Sequence, residues 1–451
     1  MSASTAEPAA EPAREPASYT SGARILAIGI GVTGLVTYAY FALASHALSD
    51  DDYGRISLLW SAIFITVSVL YRPVEQLLSR TIADREARGL SGSRHLRVAA
   101  TIQLALGFAF VAAALLARRP LEDDLLGGSR TLYWILIVAV LAYAASYFAR
   151  GYLAGHRWFP LYGALVFFEA CARVMFAVLA VVGVASGQSF VAMGMAAAPI
   201  VSLGVVPWAL TRHVRATRDR LEVASRLDAA TADEPTAEAE FTLANGASFA
   251  GAVLVIMVAE QTFLNAGPLL LKATSDSNGA ALAGFAFNVL LIARAPLQLF
   301  QAIQTSILPH LTKSHAGGEA DQFRRSINVT LLAIAAFAGA VALAMLALGP
   351  WLMSLFFGSD FAYDRGGLVL VSAGMGLYLA AATLNQAALA RGRALRAASC
   401  WVAAALAFVV GLVAWEWGNR ILQVEVAYLS GALVLCALLY ALYRTGDGSS
   451  G

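Results

Sequence analysis

The chain has 451 residues, of which 59% are hydrophobic and 13% charged, with a mean hydropathy of +0.68. Soluble domains carry about 25% charged residues, so a large soluble enzyme is excluded and an all-α polytopic membrane protein is described. The formal net charge of +2 is no surplus that would call for a nucleic-acid partner; in such a chain the placement of Arg among the loops carries the information.

Residues 1–23 are rich in Ala, Pro, Glu and Ser, with Arg14 as the one basic residue. They lack the charged start and cleavage site of a signal peptide, and an unstructured cytoplasmic tail is expected. About 20 apolar residues cross the hydrocarbon core, and on that ruler about twelve helices follow. Six fall in 24–210, near Ile25–Leu48, Ile56–Leu78, Leu96–Ala117, Leu132–Phe148, Pro160–Val184 and Phe190–Leu210. A polar linker, 211–240, holds Arg212, Arg215, Arg218, Arg220 and Arg226 before turning acidic. Six more fall in 241–443, near Phe241–Asn265, Ala280–Phe300, Ile327–Leu348, Gly367–Leu389, Ala397–Trp415 and Ile421–Tyr443, and 444–451 form a tail.

Alternate connections differ in charge. One set holds Arg80, Arg85, Arg88, Arg94, Arg97, Arg150, Arg157, the linker arginines, Lys313, Arg324, Arg325, Arg391, Arg393 and Arg396. The other holds Asp50–Asp52, Glu122–Asp124, Asp276, Asp360 and Asp364. The positive-inside rule then puts both termini in the cytoplasm. Tyr152–Arg157 after the fourth helix resembles Ala388–Arg393 after the tenth, so two parallel six-helix repeats are expected. Trp351–Phe361 reads as an additional interfacial turn with aromatic anchors. Cys171, Cys400 and Cys436 lie in apolar runs and read as buried thiols, with no metal-ligand spacing and no cofactor-binding motif.

The stretch that organises the chain is Tyr71–Arg80, where Arg72, Pro73, Glu75 and Gln76 interrupt an apolar helix. A charge at the bilayer centre costs about 2.5–3.5 kcal/mol on insertion scales and faces a bundle interior or a wet cavity. The theme returns as Arg294, Pro296 and Gln298. Two arginines at related positions would suit a diphosphate, because the guanidinium fork binds phosphate oxygens in pairs. The remaining intramembrane charges are Glu169, Arg173 and Glu260, with Glu425 near a helix end, where it would reach for the interface. Glu169 and Arg173 share a helix face at i,i+4, either as an ion pair that eases insertion or with Arg173 as a third ligand-binding cation. Glu260, Glu75 and Glu169 are the candidates for a coupling proton or sodium ion, although Glu260 could equally pair with Arg294.

Leu48–Leu59, with its small, acidic, Tyr-Gly turn, resembles the turn after the first helix of polysaccharide flippases in the multidrug/oligosaccharidyl-lipid/polysaccharide exporter superfamily. Ser79–Ala83 and Ile307–Leu311 are similar to that family as well. The resemblance implies a MATE-like V of two six-helix lobes that opens alternately to each side. It also implies a cationic cavity around Arg72 and Arg294, a lipid-linked glycan as substrate, and synthesis enzymes and membrane lipids as partners in the bacterial inner membrane. Three other readings stay open: an ion-coupled drug/cation antiporter of the same superfamily, a glycosyltransferase using Asp50–Asp52, and a scaffold acting through Thr211–Glu240.

Overall fold

The computed structural model describes residues 17–89, 92–208, 211, 243–275, 279–291, 320–358, 363–414 and 418–445. In the first half the helices are α1 (Ala17–Ala47), α2 (Asp50–Leu70), α3 (Arg72–Ala87), α4 (Arg94–Leu116), α5 (Arg130–Gly155), α6 (Phe159–Val181) and α7 (Gln188–Ser202). In the second half they are α8 (Leu243–Thr274), α9 (Gly279–Leu291), α10 (Ala320–Phe357), α11 (Arg365–Ala390), α12 (Ala394–Val413) and α13 (Arg420–Arg444). Among the described residues, ten spans are long and apolar enough to cross a membrane, with α2 and α3 counted as one. The helix α1 and the shorter apolar α9 occupy the two remaining places of the expected twelve. Arg294, Gln298, the Ile307–Leu311 motif and the linker from residue 212 onward lie outside the described residues.

Several boundaries differ from the sequence reading. α1 begins at Ala17, inside the segment expected to be tail. Elongating an existing helix fixes one residue per new hydrogen bond, so polar residues beyond the apolar run can join it. Asp50–Asp52 form the first turn of α2 rather than an outer loop: Ser49 Oγ accepts the Asp52 N–H at 3.3 Å, and three carboxylates face the positive end of the helix dipole. Trp351–Phe357 continue α10 past Pro350 instead of forming a separate interfacial turn. Glu425 does not reach the interface; it is 4% exposed, on an inner face of α13.

The two similar stretches end in the same backbone motif, which also closes α6 at Gly183. After α5, Arg157 N–H bonds Ala154 O at 3.0 Å and Trp158 N–H bonds Leu153 O at 2.9 Å. After α11, Gly392 N–H bonds Leu389 O at 3.0 Å and Arg393 N–H bonds Ala388 O at 2.9 Å. Both are six-to-one closures around a left-handed residue, Arg157 at φ 56° and Gly392 at φ 70°. The equivalence is therefore Arg157 with Gly392, one residue out of step with the similarity of the letters.

In the first half α1 lies along α6, α6 against α7, and α5 against α3 and α7. In the second, α11 packs on α10 and α13, and α12 on α8 and α13. The halves join at the end that carries Asp50. There α2 packs on α8, the π-helical turn Pro120–Leu125 also touches α8, and α1 meets α10. Phe41 lies 4.6 Å from Phe287 between ring centroids, and Tyr38 lies 5.1 Å from Phe356 and 5.5 Å from Phe357. Such ring pairs contribute about 0.5–1.5 kcal/mol each beyond burial. The buried Tyr53 hydroxyl donates to Asn288 Oδ1 across the same seam. Beyond Tyr71, α3 turns onto α4 and α5 of its own half. Among the described residues, the packing between the halves is concentrated at this end.

Gly54 sets how closely they meet. A Cβ there would lie 1.9 Å from the carbonyl oxygen of Ala280, a backbone atom that has nowhere to go. Gly54→Ala should force α2 and α9 apart. Pulsed EPR distances between labels on the two halves at this end should lengthen, and the melting temperature should fall; an unchanged distance would contradict the seam.

Candidate functional site

The polar centre of the molecule begins at the break between α2 and α3. Tyr71 has φ −106° and ψ −27°, its N–H still reaching Val67 O at 2.9 Å. Pro73 follows within the first two positions of α3, where its missing N–H costs nothing. The break turns Arg72 and Glu75 inward, while Gln76 is exposed on the same helix. Both inward residues are half-buried.

Around them stand side chains from four helices. Tyr162 of α6 donates to Glu75 Oε1 at 2.9 Å. Within the second half, Tyr378 of α11 donates to Glu260 Oε1 of α8 at 3.2 Å. The charges that act on the Arg72 guanidinium are Glu260 first, then Glu75, with Tyr147 and Tyr162 nearby. Yet among the described residues no hydrogen bond or ion pair holds Arg72. Glu260 is half-buried and faces this group from the second half.

A second cluster lies deeper in the first half, and it is closed. Glu169 and Arg173 of α6 are 4% and 3% exposed. Arg173 Nη2 donates to Glu169 Oε1 at 3.1 Å and to the Tyr143 hydroxyl at 3.0 Å, and Nη1 donates to Thr37 Oγ1 at 3.4 Å. Its guanidinium also stacks 4.5 Å from the Trp60 ring centre and 5.8 Å from that of Phe64. Tyr143 in turn donates to Glu169 Oε1 at 2.8 Å, and Ser146 lies within reach of Oε2 at 3.4 Å.

The partner that sequence reasoning missed is Arg150. Counted there as a loop residue, it lies inside α5, which runs on to Gly155. Its Nη2 donates to Glu169 Oε2 at 2.5 Å, and its guanidinium covers the Tyr147 ring at 4.6 Å. The signal was partial: apolar Tyr152, Leu153 and Ala154 continue the run past Arg150, but Gly151 beside it reads as a stop. Glu169 is thus the counter-ion of two arginines and binds α5 to α6. Arg173, expected either as a structural partner or as a third ligand-binding cation, has both terminal nitrogens bonded to protein groups, while its Nε has no partner among the described residues.

The two clusters together contain Arg72, Arg150 and Arg173 against Glu75, Glu169 and Glu260, so their formal charges cancel. Within that balance the roles divide. Glu169 is bonded by both Arg150 and Arg173, with Glu169 and Arg173 buried and Arg150 at the edge of the cluster. Arg72, Glu75 and Glu260 are accessible and loosely held. Such a site can exchange partners: an anion that takes the guanidinium releases a carboxylate, and a released carboxylate can take a proton or a cation.

No family model matches the chain. Curated relatives include an uncharacterised protein of Mycobacterium tuberculosis, 25% identical over 338 residues that cover 74% of this chain and 71% of the relative. Another, from Mycobacterium bovis, is 27% identical over 430 residues that cover 92% and 90%. Among solved structures, an inward-facing multidrug resistance MATE family transporter of the MOP superfamily superposes with a TM-score of 0.63 at 12% identity, over 95% of this chain and 100% of the other. A eukaryotic MATE transporter gives 0.60 at 14% identity, over 94% and 95%, and a Vibrio cholerae MATE transporter gives 0.58 at 14% identity, over 97% and 99%. The chain has the MATE transporter fold.

Removing one partner of a buried ion pair strands the other charge at a cost of about 3–5 kcal/mol. Glu169→Ala should therefore be strongly destabilising in detergent unfolding, whereas Glu260→Ala, which strands no bonded cation, should be mild. Equal losses from both substitutions would contradict the division into a closed and an open cluster.

Proposed function

We propose that this chain is an alternating-access flippase that moves a polyprenyl-diphosphate-linked oligosaccharide across the bacterial inner membrane. The observation that carries this reading is the Arg72 guanidinium, half-buried at a helix break in the membrane and held by no hydrogen bond or ion pair among the described residues. A guanidinium in that state attracts phosphate oxygens and repels organic cations. On sequence grounds Arg294 is assigned the matching role in the second half, with Gln76 and Gln298 supplying amide contacts. The glycan occupies the space between the halves while the lipid tail stays in the bilayer.

The charge balance supplies the coupling. In the empty protein Glu75 and Glu260 offset Arg72. A bound diphosphate takes their place, and the displaced carboxylates bind a proton or a sodium ion until the cargo leaves. The positive-inside rule assigns the Arg-rich face and both termini to the cytoplasm. The joined end is then periplasmic. The linker Thr211–Glu240 is the surface offered to synthesis enzymes.

A second reading, an ion-coupled drug/cation antiporter, is favoured by Glu260, whose carboxylate is half-buried and bonded by Tyr378. The two readings separate cleanly in reconstituted vesicles containing a fluorescent polyprenyl-diphosphate oligosaccharide. Charge-assisted hydrogen bonds are worth about 1.5–3 kcal/mol, so Arg72→Ala should weaken binding about 10- to 100-fold and slow translocation in proportion. An Arg72→Ala protein that translocates normally sinks the flippase. Transport of organic cations that survives Arg72→Ala and is lost in Glu260→Gln would establish the antiporter.

A further inference from the structure

α4 buries one stripe and exposes the opposite one. Ala99, Gln103 and Gly107 face the first half, and Gln103 Nε2 donates to Ala144 O of α5 at 2.6 Å. On the other side of the helix Phe108 and Leu116 are 77% and 90% exposed. Apolar groups that open on a membrane-spanning helix cost nothing against acyl chains, which are as apolar as they are. The outer stripe of α4 is a lipid-facing surface.

At one end of that stripe Arg94, Arg97, Val98, Thr101 and Ile102 line a groove of about 490 Å³. Their spacing, at three and four residues in turn, puts all five on one face. Both arginines are exposed, and among the described residues no hydrogen bond or ion pair engages either guanidinium. Other arginines near the ends of the span are neutralised: Arg88 pairs with Asp84 at 3.1 Å and Arg118 with Glu122 at 2.6 Å, each one helical turn away. α4 has no acidic residue to offer. Cβ atoms three residues apart on a helix lie about 5–6 Å from each other, so the two guanidinium groups can close on a single phosphate.

The register of the span sets their depth. From Val98 to Leu116 α4 has no charged residue, and that stretch is about 28 Å long at 1.5 Å per residue. The hydrocarbon core is about 30 Å thick. With Leu116 at one boundary Val98 lies at the other, and Arg94 and Arg97 stand just outside it, level with the lipid phosphates. Val98 and Ile102 then meet the first methylenes of the acyl chains.

We propose that this groove binds one anionic glycerophospholipid, its phosphate held between Arg94 and Arg97 and its acyl chains laid along Val98 and Ile102. Guanidinium groups bind phosphate oxygens in pairs. A soluble anion would gain from the arginines alone, whereas the apolar wall beneath them favours an anion that carries a tail. A zwitterionic lipid presents the same phosphate but brings a cation to two arginines with no acidic neighbour on their helix. The groove is on the lipid side of α4, and the inference rests on neither reading of the cargo.

The test is native mass spectrometry of the solubilised protein titrated with phosphatidylglycerol or with phosphatidylcholine of the same chains. Two arginines at the headgroup layer should favour phosphatidylglycerol at the tightest site by about tenfold or more. Arg94→Gln/Arg97→Gln should bring the two lipids to parity. Arg119→Gln/Arg130→Gln, which removes the same charge from exposed positions at the other end of the span, should leave the preference intact. In the parent protein a phosphatidylglycerol with a diazirine in its headgroup should label the segment from Arg94 to Ile102, and glycerol 3-phosphate, the anion without its tails, should not displace the lipid. Equal retention of both lipids by the parent, a preference that survives Arg94→Gln/Arg97→Gln, or an equal loss in Arg119→Gln/Arg130→Gln would each overturn the proposal. So would a label confined to other segments, or displacement by glycerol 3-phosphate.

Discussion

Glu169 is the anchor on which the first half depends. One carboxylate in a medium that tolerates no lone charge receives Arg150 from α5 and Arg173 from its own helix, and both arginines spread their remaining surface over aromatic rings. Tyr143 closes the set and Thr37 connects it to α1. The consequence is rigidity: α1, α5 and α6 are tied at mid-depth by bonds that would each be costly to break. A half that moves as one body requires some interior tie of this kind, since lipid offers no hydrophobic force to hold helices together.

With that body fixed, the contrast between the two ends of the molecule follows. At one end small and aromatic residues allow close contact, with Gly54 against the Ala280 backbone and Phe41 against Phe287. Toward the other end α3 packs within its own half. Between them Arg72, Glu75 and Glu260 remain accessible because full burial would strand charges that have no fixed partners. Accessibility, charge balance and incomplete bonding are one property of that region: a site whose internal ions are already loosely matched can admit a charged guest without a large net change in charge.

Much of this was legible in the sequence, and the failures have physical causes. The helices were visible because a span must be apolar over about 20 residues, and Arg72–Glu75 stood out because charge in such a run is expensive. Arg150 was missed because an arginine ending an apolar run looks identical whether it turns outward to water or inward to a carboxylate on another helix; the choice is tertiary. Glu425 was assigned to the interface for the same reason, since the space that receives it is made by Gly367 on a different helix. The extension of α10 through Trp351–Phe357 was hidden by Gly349 and Pro350, which as letters signal a stop. The similarity of Tyr152–Arg157 to Ala388–Arg393 was legible as composition but misaligned by one residue, because what the two stretches share is a left-handed backbone position and not a side chain.

The discontinuity at Tyr71 also has a mechanical meaning. The sixteen-residue helix α3 is about 24 Å long at 1.5 Å per residue, and it is fastened to α2 through a single non-ideal turn. It is in effect a lever with its fulcrum at the charged site. A bend of about 10° at Tyr71 leaves Arg72 almost in place and carries the far tip, at Ala87, by about 4 Å at that length. Small rearrangements around one guanidinium are thereby magnified at the distant surface, and a load applied at that surface returns to the guanidinium as a small, forceful displacement.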